Sequence, residues 1–403
     1  MANSILDISQ PRSSSPTASN MRRRELLLGV VTGGFAMTSL GCSRNASSGS
    51  NSNAAGPSQG PQGNTPPGTG KTNPRQLGVA LLGLGNYSET QLAPSLKLTR
   101  HCSLRGIVTG SPDKIPRWQK EYGIPDRNVY DYGSLPRIAD NSAIDIVYIV
   151  VPTALHAKYA VQAAEAGKHV WCEKPMAMTV EECQKIIDAC RANHVSLAIG
   201  YRMHHEPNTQ TVMQFAREKP YGAIKAVRAI AGDRSNGENT WRMVRAMGGG
   251  ALYDMGVYSI NAIRYASGEE PVRVVRARQW ADRPELFRDV DENTEFELEL
   301  PSGAIAYGKA SRFDKTNQLR VEAQRGWYQL EPMQAYEGVQ GETSDGKKLD
   351  KKVDKQQARQ MDDEALALLE GRPAMVPGEE GQRDIRLVQA ILQAASTDKP
   401  VAL

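Results

Sequence analysis

Two charged residues and a proline, Glu173-Lys174-Pro175, directly follow the short apolar run from His169 to Cys172. An apolar run of this length is typical of a buried β-strand, so the ammonium group of Lys174 would lie at the carboxyl end of a strand. Ligands of open α/β sheets bind at that edge. The Lys174–Pro175 bond can adopt the cis form, which X–Pro bonds tolerate. From these residues alone, a solvated Glu–Lys ion pair is an equally good interpretation.

A second group of polar side chains follows the glycine run 248–250. The run predicts a loop that continues as a helix, on which Asp254, Tyr258 and Asn261 have the spacing i, i+4 and i+7. Residues at this spacing share one face of an α-helix. An aspartate and a tyrosine on such a face can perform acid–base chemistry on a substrate, or they can form a buried hydrogen-bonded seam.

The apolar strand predicted for residues 77–82 is followed at once by the turn Gly83-Leu84-Gly85-Asn86-Tyr87-Ser88. Two glycines at this spacing let the backbone turn tightly and approach a pyrophosphate at the N-terminus of the next helix. Ser88 replaces the third glycine of the dinucleotide-binding fingerprint, so the turn alone is a weak signal. A helix-like run over residues 89–97 and a second strand over 104–108 strengthen it.

The end of that second strand discriminates between NAD and NADP. A carboxylate there would bind the ribose 2′-hydroxyl of NAD. The sequence instead has Thr109, Ser111 and Lys114, which can hold a 2′-phosphate by hydrogen bonds and charge. NADP is therefore the favoured cofactor, although a polar turn with a solvated lysine would have the same sequence.

The order of these elements predicts the fold. Strand-like and helix-like runs alternate over residues 76–201, which indicates an α/β Rossmann domain with a doubly wound parallel sheet. In residues 202–403, Phe296, Leu298 and Leu300 alternate with glutamates, a pattern typical of an antiparallel strand with one wet face. Further extended runs surround that strand. They predict an α+β domain with a large, mostly antiparallel sheet, which we expect to bind substrate.

The first 42 residues have the features of an export signal. Arg23-Arg24 precedes a weakly apolar run that ends at Gly41; the run is too short to span a bilayer and resembles a twin-arginine signal. Cys42 lies where a lipoprotein signal is cleaved and lipidated. Residues 43–75 are rich in Ser, Gly, Asn and Pro and predict a disordered linker or arm. We therefore expect a periplasmic or membrane-anchored protein that faces the periplasm.

Composition excludes several other classes of function. The chain has 403 residues, of which 40% are hydrophobic, and a net charge of +4. No basic run is interleaved with aromatic residues, so nucleic acid is not an expected partner. None of the five cysteines forms a Cys-x-x-Cys pair, so neither a zinc site nor a redox dithiol is indicated.

Taken in order, the glycine turn, Glu173-Lys174-Pro175 and the Gly-Gly-Gly-x-x-x-Asp-x-Gly-x-Tyr segment ending at Tyr258 resemble the Gfo/Idh/MocA oxidoreductases. The similarity extends from Gln76 to the C-terminus and includes the segment 377–381. Tyr258 replaces the histidine usual in that family, as in its glucose–fructose oxidoreductase branch, which also lacks the third glycine. That branch has an N-terminal arm that contacts cofactor and neighbouring subunits. The resemblance implies a homo-oligomer, a dimer or a tetramer.

The resemblance also implies roles for individual residues. Oxidation of a sugar hydroxyl needs a proton acceptor, for which Tyr258 is the candidate. Lys174 would favour its phenolate and bind the sugar, and Asp254 would orient the substrate and balance the lysine's charge. The implied cofactor contacts are Gly83, Leu84, Gly85, Asn86, Tyr87, Thr109, Lys114, Tyr132, Glu173, Lys174 and Arg202. Tyr201, Trp241, Arg242 and Asn261 are further candidates for the substrate pocket.

Three functions remain open from the sequence. The first is an exported NADP-dependent sugar oxidoreductase that oxidises one sugar and reduces another without releasing the cofactor. The second is a nicotinamide-dependent glycosidase on the same fold. The third is a catalytically inactive sugar-binding lipoprotein. The presence of Lys174, Asp254 and Tyr258 argues against the third, and the tyrosine in place of histidine favours the first.

Overall fold

The computed structural model describes residues 75–234 and 240–403. The predicted export signal, Cys42 and all but the last residue of the predicted linker lie outside the described residues. Within them, no helix combines the length and apolar character needed to cross a membrane.

The first sheet has six parallel strands, and its order β3-β2-β1-β4-β5-β6 confirms the predicted doubly wound topology. The strands are β1 (Leu77–Leu82), β2 (Cys102–Val108), β3 (Val129–Tyr130), β4 (Ile146–Ile149), β5 (His169–Cys172) and β6 (Leu197–Ile199). The helices are α1 (Ala93–Leu96), α2 (Ile115–Tyr122), α3 (His156–Glu165) and α4 (Val180–Ala192). A π-helical turn, Ser88–Leu92, precedes α1, so the helix predicted over 89–97 is not one regular α-helix.

The second sheet has nine strands in the order β14-β13-β12-β11-β7-β10-β9-β8-β15. They are β7 (Ile224–Gly232), β8 (Arg273–Trp280), β9 (Asn293–Glu299), β10 (Ile305–Ser311), β11 (Asn317–Ala323), β12 (Gly326–Leu330), β13 (Gly341–Thr343), β14 (Lys348–Leu349) and β15 (Val401–Ala402). Every pair is antiparallel except β7 and β10, which are parallel neighbours. The prediction of a large, mostly antiparallel sheet is confirmed.

One face of the second sheet is covered by helices α5 (Pro207–Glu218) and α6 (Val257–Ser267). The alternation in β9 explains why: Phe296 and Leu298 are buried toward that side, and the intervening glutamates are partly exposed. Gly308 lies opposite Phe296 in the β9–β10 pair. A Cβ at position 308 would lie 2.1 Å from the phenyl ring, so only glycine fits there.

The last two helices, α7 (Gln356–Leu369) and α8 (Gly378–Thr397), return to the first sheet. Helix α7 packs against α1 and β2, and α8 packs against α4 and β6 on one side and β8 on the other. Met361 and Ala365 of α7 belong to the same apolar cluster as Val79 and Leu81 of β1. The C-terminal helices therefore complete the core of the first sheet and connect it to the second.

We predict that Met361→Ala lowers the free energy of unfolding by about 2–5 kcal/mol, because Met361 is fully buried and its truncation leaves a cavity. Leu369→Ala in the same helix is the control, because that side chain is 41% exposed and should change stability by about 0.5 kcal/mol or less. Urea unfolding measures both. Equal effects of the two substitutions would contradict a structural role for α7 in the first core.

Candidate functional site

The glycine turn leaves space for a ligand at the carboxyl end of β1. Gly83 has φ +101°, and a Cβ there would lie 2.5 Å from the carbonyl oxygen of Val150. Gly85 is exposed, and a Cβ there would meet no atom within 4 Å. Ser88, at the third glycine position, is buried and donates a 2.6 Å hydrogen bond to the carbonyl of Gly83. The serine thus stabilises the turn and leaves its outer surface open to a pyrophosphate.

The residues predicted to discriminate between NADP and NAD lie beside this turn. Lys114 Nζ donates a 2.7 Å hydrogen bond to the carbonyl of Leu84, which leaves two further hydrogens of the ammonium for a ligand. Thr109 Oγ1 accepts a 3.0 Å hydrogen bond from the backbone N–H of Ser111. A Cβ at Gly110 would lie 2.9 Å from the Tyr132 ring, so glycine lets that ring approach. The cation, hydroxyl and aromatic ring therefore converge at the end of β2.

Lys174 reaches from the end of β5 to the segment that carries the other two candidate catalytic residues. The Lys174–Pro175 bond is cis. Lys174 Nζ donates a 2.9 Å hydrogen bond to the backbone carbonyl of Asp254 and lies 4.0 Å from Asp254 Oδ1. The same ammonium lies 4.2 Å from the centroid of the Tyr258 ring, over its face. The structure thus brings together all three predicted catalytic residues.

His156 fixes the loop on which Lys174 lies. This fully buried side chain, from the first turn of α3, has Nδ1 2.8 Å from the carbonyl oxygen of Pro175 and Nε2 2.8 Å from that of Val151. Burial lowers the pKa of His156, and the two carbonyl contacts oppose that shift. The histidine therefore joins the loops that follow β4 and β5, and it holds the Lys174 backbone at the sheet edge.

Asp254 is held ionised by three cations. Its Oδ2 accepts hydrogen bonds from Arg242 Nε (3.1 Å) and Arg312 Nη1 (3.0 Å). Burial by itself would raise the pKa of Asp254, but the charges of Arg242, Arg312 and Lys174 hold that pKa below its usual value. The Arg242 guanidinium also lies 4.5 Å from the centre of the Trp241 ring. Two of the predicted substrate contacts, Trp241 and Arg242, are therefore beside the candidate catalytic group.

The helix that carries Tyr258 does not have the predicted regular register. A π-helical turn, Leu252–Gly256, precedes α6, and such a turn has about one more residue than an α-helical turn. Asp291 holds its start, since its Oδ2 accepts a 2.8 Å hydrogen bond from the N–H of Leu252. Spacings counted at 3.6 residues per turn therefore do not define one face across this segment.

Asn261 lies inside the protein in a network with α8, and its predicted contact with substrate stays a prediction. It is 1% exposed. Its amide nitrogen donates to Glu380 Oε1 (3.1 Å) and Asp384 Oδ2 (2.9 Å), and its Oδ1 lies 2.8 Å from His204 Nε2. Tyr201, another predicted pocket residue, is equally buried, and burial and Asp384 raise its pKa.

The same network contains the segment 377–381 singled out in the sequence. Arg264 of α6 is 4% exposed and donates 2.7 Å hydrogen bonds to Glu380 and Asp384 of α8 and to Glu270. The buried Asp384 and the mostly buried Glu380 satisfy a guanidinium charge that would otherwise be costly to bury, while Glu270 contacts it from the surface. This network therefore locks α6, the helix of Tyr258, to α8.

Arg202, a predicted cofactor contact, lies between two aromatic rings. Its guanidinium carbon is 5.6 Å from the centre of the Tyr258 ring and 4.9 Å from that of Tyr336. Nη1 donates a 2.6 Å hydrogen bond to Gln356 Oε1. Tyr336 stacks on Tyr87 of the glycine turn, with centroids 6.0 Å apart. The arginine therefore links the nucleotide turn to the candidate catalytic tyrosine.

Glu173, the other predicted cofactor contact on this loop, is 8% exposed. Its Oε1 accepts a 2.6 Å hydrogen bond from the Tyr148 hydroxyl, which in turn accepts one of 3.0 Å from Gln360 Nε2. Burial raises the pKa of Glu173, and Tyr148 and Lys174 oppose the shift. A Cβ at Gly200 would lie 2.6 Å from Glu173 Oε1, so the neighbouring strand must end in glycine.

A family model described as an oxidoreductase family with an NAD-binding Rossmann fold matches residues 77–201, and the GFO/IDH/MocA C-terminal domain model matches residues 209–329. The chain belongs to the Gfo/Idh/MocA oxidoreductase family. Together the two models span more than half of its length.

Two relatives of this family member cover most of its length. D-xylose 1-dehydrogenase [NADP(+)] of Haloarcula marismortui is 27% identical over 348 residues, which are 80% of this chain and 92% of the relative. The crystal structure of an aldose-aldose oxidoreductase from Caulobacter crescentus, complexed with glycerol, is 35% identical with a TM-score of 0.78. That match covers 82% of this chain and 100% of the other.

A more distant structure shares the fold. A 3-ketoreductase from Actinomadura kijaniata, solved in complex with NADP and TDP-benzene, is 21% identical, with a TM-score of 0.71. The match covers 79% of this chain and 98% of that one.

Four residues near the site of this family member were missed in the sequence. Arg312 follows β10, Tyr336 lies in the loop after β12, and Gln356 and Gln360 are on α7. The two glutamines are one helical turn apart and buried, and each pairs with a residue named above. Two glutamines at i and i+4 on the inner face of a helix were the only available signal. No sequence signal indicated Arg312 or Tyr336, because only the tertiary fold brings these residues to the candidate site.

We predict that Asn261→Ala lowers the free energy of unfolding by about 1–3 kcal/mol, because it removes one hydrogen bond from each of Glu380 and Asp384 and leaves His204 Nε2 without its acceptor. Asn193→Ala, at the exposed end of α4, serves as control and should cost about 0.5 kcal/mol or less. Urea unfolding gives both values. A stable Asn261→Ala variant with a selectively raised KM for sugar would contradict a purely structural role and support the predicted substrate contact.

Proposed function

We propose that this protein is an NADP-dependent sugar oxidoreductase of the glucose–fructose type, which oxidises one sugar and reduces a second with the cofactor retained. The observation that carries the proposal is the placement of the Lys174 ammonium 4.2 Å from the Tyr258 ring centre, against the Asp254 carbonyl. A tyrosine beside a cation is a suitable group for moving the proton of a hydroxyl.

The residues at the nucleotide turn fit NADP. Open space over Gly85 suits a pyrophosphate, and Lys114 with Thr109 suits a 2′-phosphate. The Haloarcula relative is a D-xylose 1-dehydrogenase [NADP(+)] and the Actinomadura protein was crystallised with NADP, which supports the same cofactor here. When bound, the nicotinamide accepts or returns the hydride of the sugar carbon.

The protein's own residues then perform the proton chemistry. Tyr258 takes the hydroxyl proton of the sugar during oxidation and returns it during reduction. Lys174 donates a hydrogen bond to the reacting oxygen of the sugar. Asp254, kept ionised by Arg242 and Arg312, fixes the lysine and balances its charge. Trp241 and the half-exposed Arg242 offer a flat apolar surface and donors to the sugar ring.

The direct test is to denature the purified protein, identify any released nucleotide, and screen aldose and ketose pairs for formation of lactone and sugar alcohol. The expected result is one equivalent of NADP and turnover of a pair without added cofactor. Turnover that depends on added cofactor would contradict retention, and glycoside cleavage without net redox change would contradict the oxidoreductase reaction.

We predict that Lys114→Ala weakens NADP binding by about 1.5–3 kcal/mol, the worth of a hydrogen bond to a charged group, with little change for NAD. Lys120→Ala is the matched control, because Lys120 is an exposed lysine on the neighbouring helix α2. Titration of nucleotide-free protein with both cofactors measures the effect. An equal loss for NADP and NAD would show that Lys114 does not read the 2′-phosphate.

We also predict that Lys174 and Tyr258 act as a unit. Lys174→Ala and Tyr258→Phe should each lower kcat by about 10²–10⁴, the usual contribution of general acid–base catalysis. The double variant should be scarcely slower than either single one, because residues that act together are non-additive. Each variant should still contain NADP. Full additivity, or near wild-type turnover in Tyr258→Phe, would contradict the assignment.

We further propose export by the twin-arginine route with the cofactor already bound, since that route carries folded proteins and NADP is cytosolic. Changing Arg23 and Arg24 to lysine should retain active protein in the cytoplasm. Cell fractionation measures its distribution, and metabolic labelling with palmitate tests Cys42. Persistence of the variant in the periplasmic or membrane fraction would refute the route, and absence of label would refute the anchor.

A homo-oligomer, a dimer or a tetramer, remains part of the proposal. The open face of the second sheet supports it with aromatic–cation pairs such as Arg320 over Trp327 (3.7 Å) and Arg228 over Tyr307 (4.4 Å). Light scattering of the purified protein measures the mass directly.

A further inference from the structure

A groove lies between α5, α7 and the segment that precedes α7. Its volume is about 560 Å³. We call it the α5–α7 groove, and it is lined by His204, Pro207, Gln210, Thr211, Met213, Gln214, Arg217, Lys351, Arg359 and Met375. None of these residues belongs to the candidate catalytic or cofactor-binding set, so the groove is a separate site.

The groove is electropositive. Its lining contains the cations Arg217, Lys351 and Arg359, and no carboxylate occurs in the lining among the described residues. The nearest acid in contact, Asp363, lies 3.7 Å from Arg359 Nε and offsets one charge. Lys351 Nζ donates one hydrogen bond, of 3.1 Å, to Thr211 Oγ1. Two or more positive charges therefore face the groove without an acidic partner, which favours an anionic ligand.

The Arg217 guanidinium is the most available of these groups. It is exposed, and it has no hydrogen-bond or ion-pair partner within residues 75–234 and 240–403. Gln210, Thr211, Gln214 and Arg217 follow each other along one face of α5. This face of α5 forms one wall of the α5–α7 groove.

The floor of the groove contains a hydrogen-bond acceptor. His204 is only 6% exposed. Asn261 donates its amide hydrogens to Glu380 and Asp384, so its Oδ1 must accept from His204 Nε2, 2.8 Å away. The neutral imidazole therefore carries its hydrogen on Nε2, and Nδ1 is an acceptor. The bond from Nε2 is the one side-chain hydrogen bond that His204 forms in the described part of the chain, so Nδ1 is open to a donor.

We propose that the α5–α7 groove binds a phosphate-type anion, either inorganic phosphate or the phosphate monoester of a small molecule. Such an anion supplies negative oxygens for Arg217, Lys351 and Arg359 and, as its hydrogen form, a P–OH hydrogen for His204 Nδ1. Inorganic phosphate keeps a P–OH hydrogen at neutral pH even as its dianion. A monoester, whose second ionisation lies at about pH 6, keeps that hydrogen only in its monoanion, so inorganic phosphate fits His204 Nδ1 better. A carboxylate or a sulfate has the charge and lacks the hydrogen.

The test uses protein loaded with NADP, so that phosphate cannot occupy the nucleotide turn. Titration calorimetry with inorganic phosphate, glycerol 3-phosphate and sulfate should give saturable binding of at least one phosphate. Sulfate should bind about tenfold more weakly, the value of one hydrogen bond. A preference between the two phosphates identifies the source of the ligand.

The double variant Arg217→Gln/Lys351→Gln should weaken phosphate binding by at least about tenfold, as loss of two charged contacts requires. Arg386→Gln, an exposed arginine on α8 outside the groove, should bind as the wild type does. The proposal is overturned by absence of saturable phosphate binding, by equal affinity for sulfate, or by wild-type affinity in the double variant. It is also overturned if the Arg386→Gln control loses binding to the same extent.

Discussion

The position of one ammonium group determines how the rest of the molecule must be built. Lys174 belongs to the parallel sheet, but its hydrogen-bond acceptor and its aromatic neighbour belong to the connection between β7 and β8. Contacts of 2.9 Å and 4.2 Å between two separately formed sheets require a rigid junction. Helices α7 and α8, the Arg264 network and His156 all serve that junction.

Two carboxyl groups in contrasting environments, Asp254 and Glu173, lie near the Lys174 ammonium group. Asp254 has three cationic neighbours, which keep it ionised in spite of its burial. Glu173, the residue before Lys174, has its pKa raised by burial and accepts a hydrogen bond from the Tyr148 hydroxyl. A carboxylate stabilised in its charged form and one biased toward its neutral form thus flank the same lysine. Each environment comes from a different sheet, so the balance depends on both.

Local sequence patterns were sufficient to predict the fold and part of the candidate site. Strand runs, the glycine turn and the Glu-Lys-Pro motif are short-range features, and Lys174, Asp254 and Tyr258 indeed meet. Asn261 was assigned to the pocket from helical spacing alone, whereas its partners Glu380 and Asp384 on α8 become its neighbours only in the folded chain. Arg312, Tyr336 and the α7 glutamines were missed because each becomes a neighbour only after two sheets dock. Prediction of these contacts requires the relative placement of distant segments.

The return of α7 to the first sheet has a consequence for synthesis on the ribosome. Met361 and Ala365 form one wall of the apolar cluster around β1, yet they are translated long after β6. The emerging parallel sheet therefore cannot bury that surface until residues 356–369 have left the exit tunnel. Complete folding of the first sheet must wait for a segment that is made after the strands β7 to β14. A prematurely terminated chain would present the bare wall to chaperones and proteases, which gives the cell a way to recognise unfinished copies.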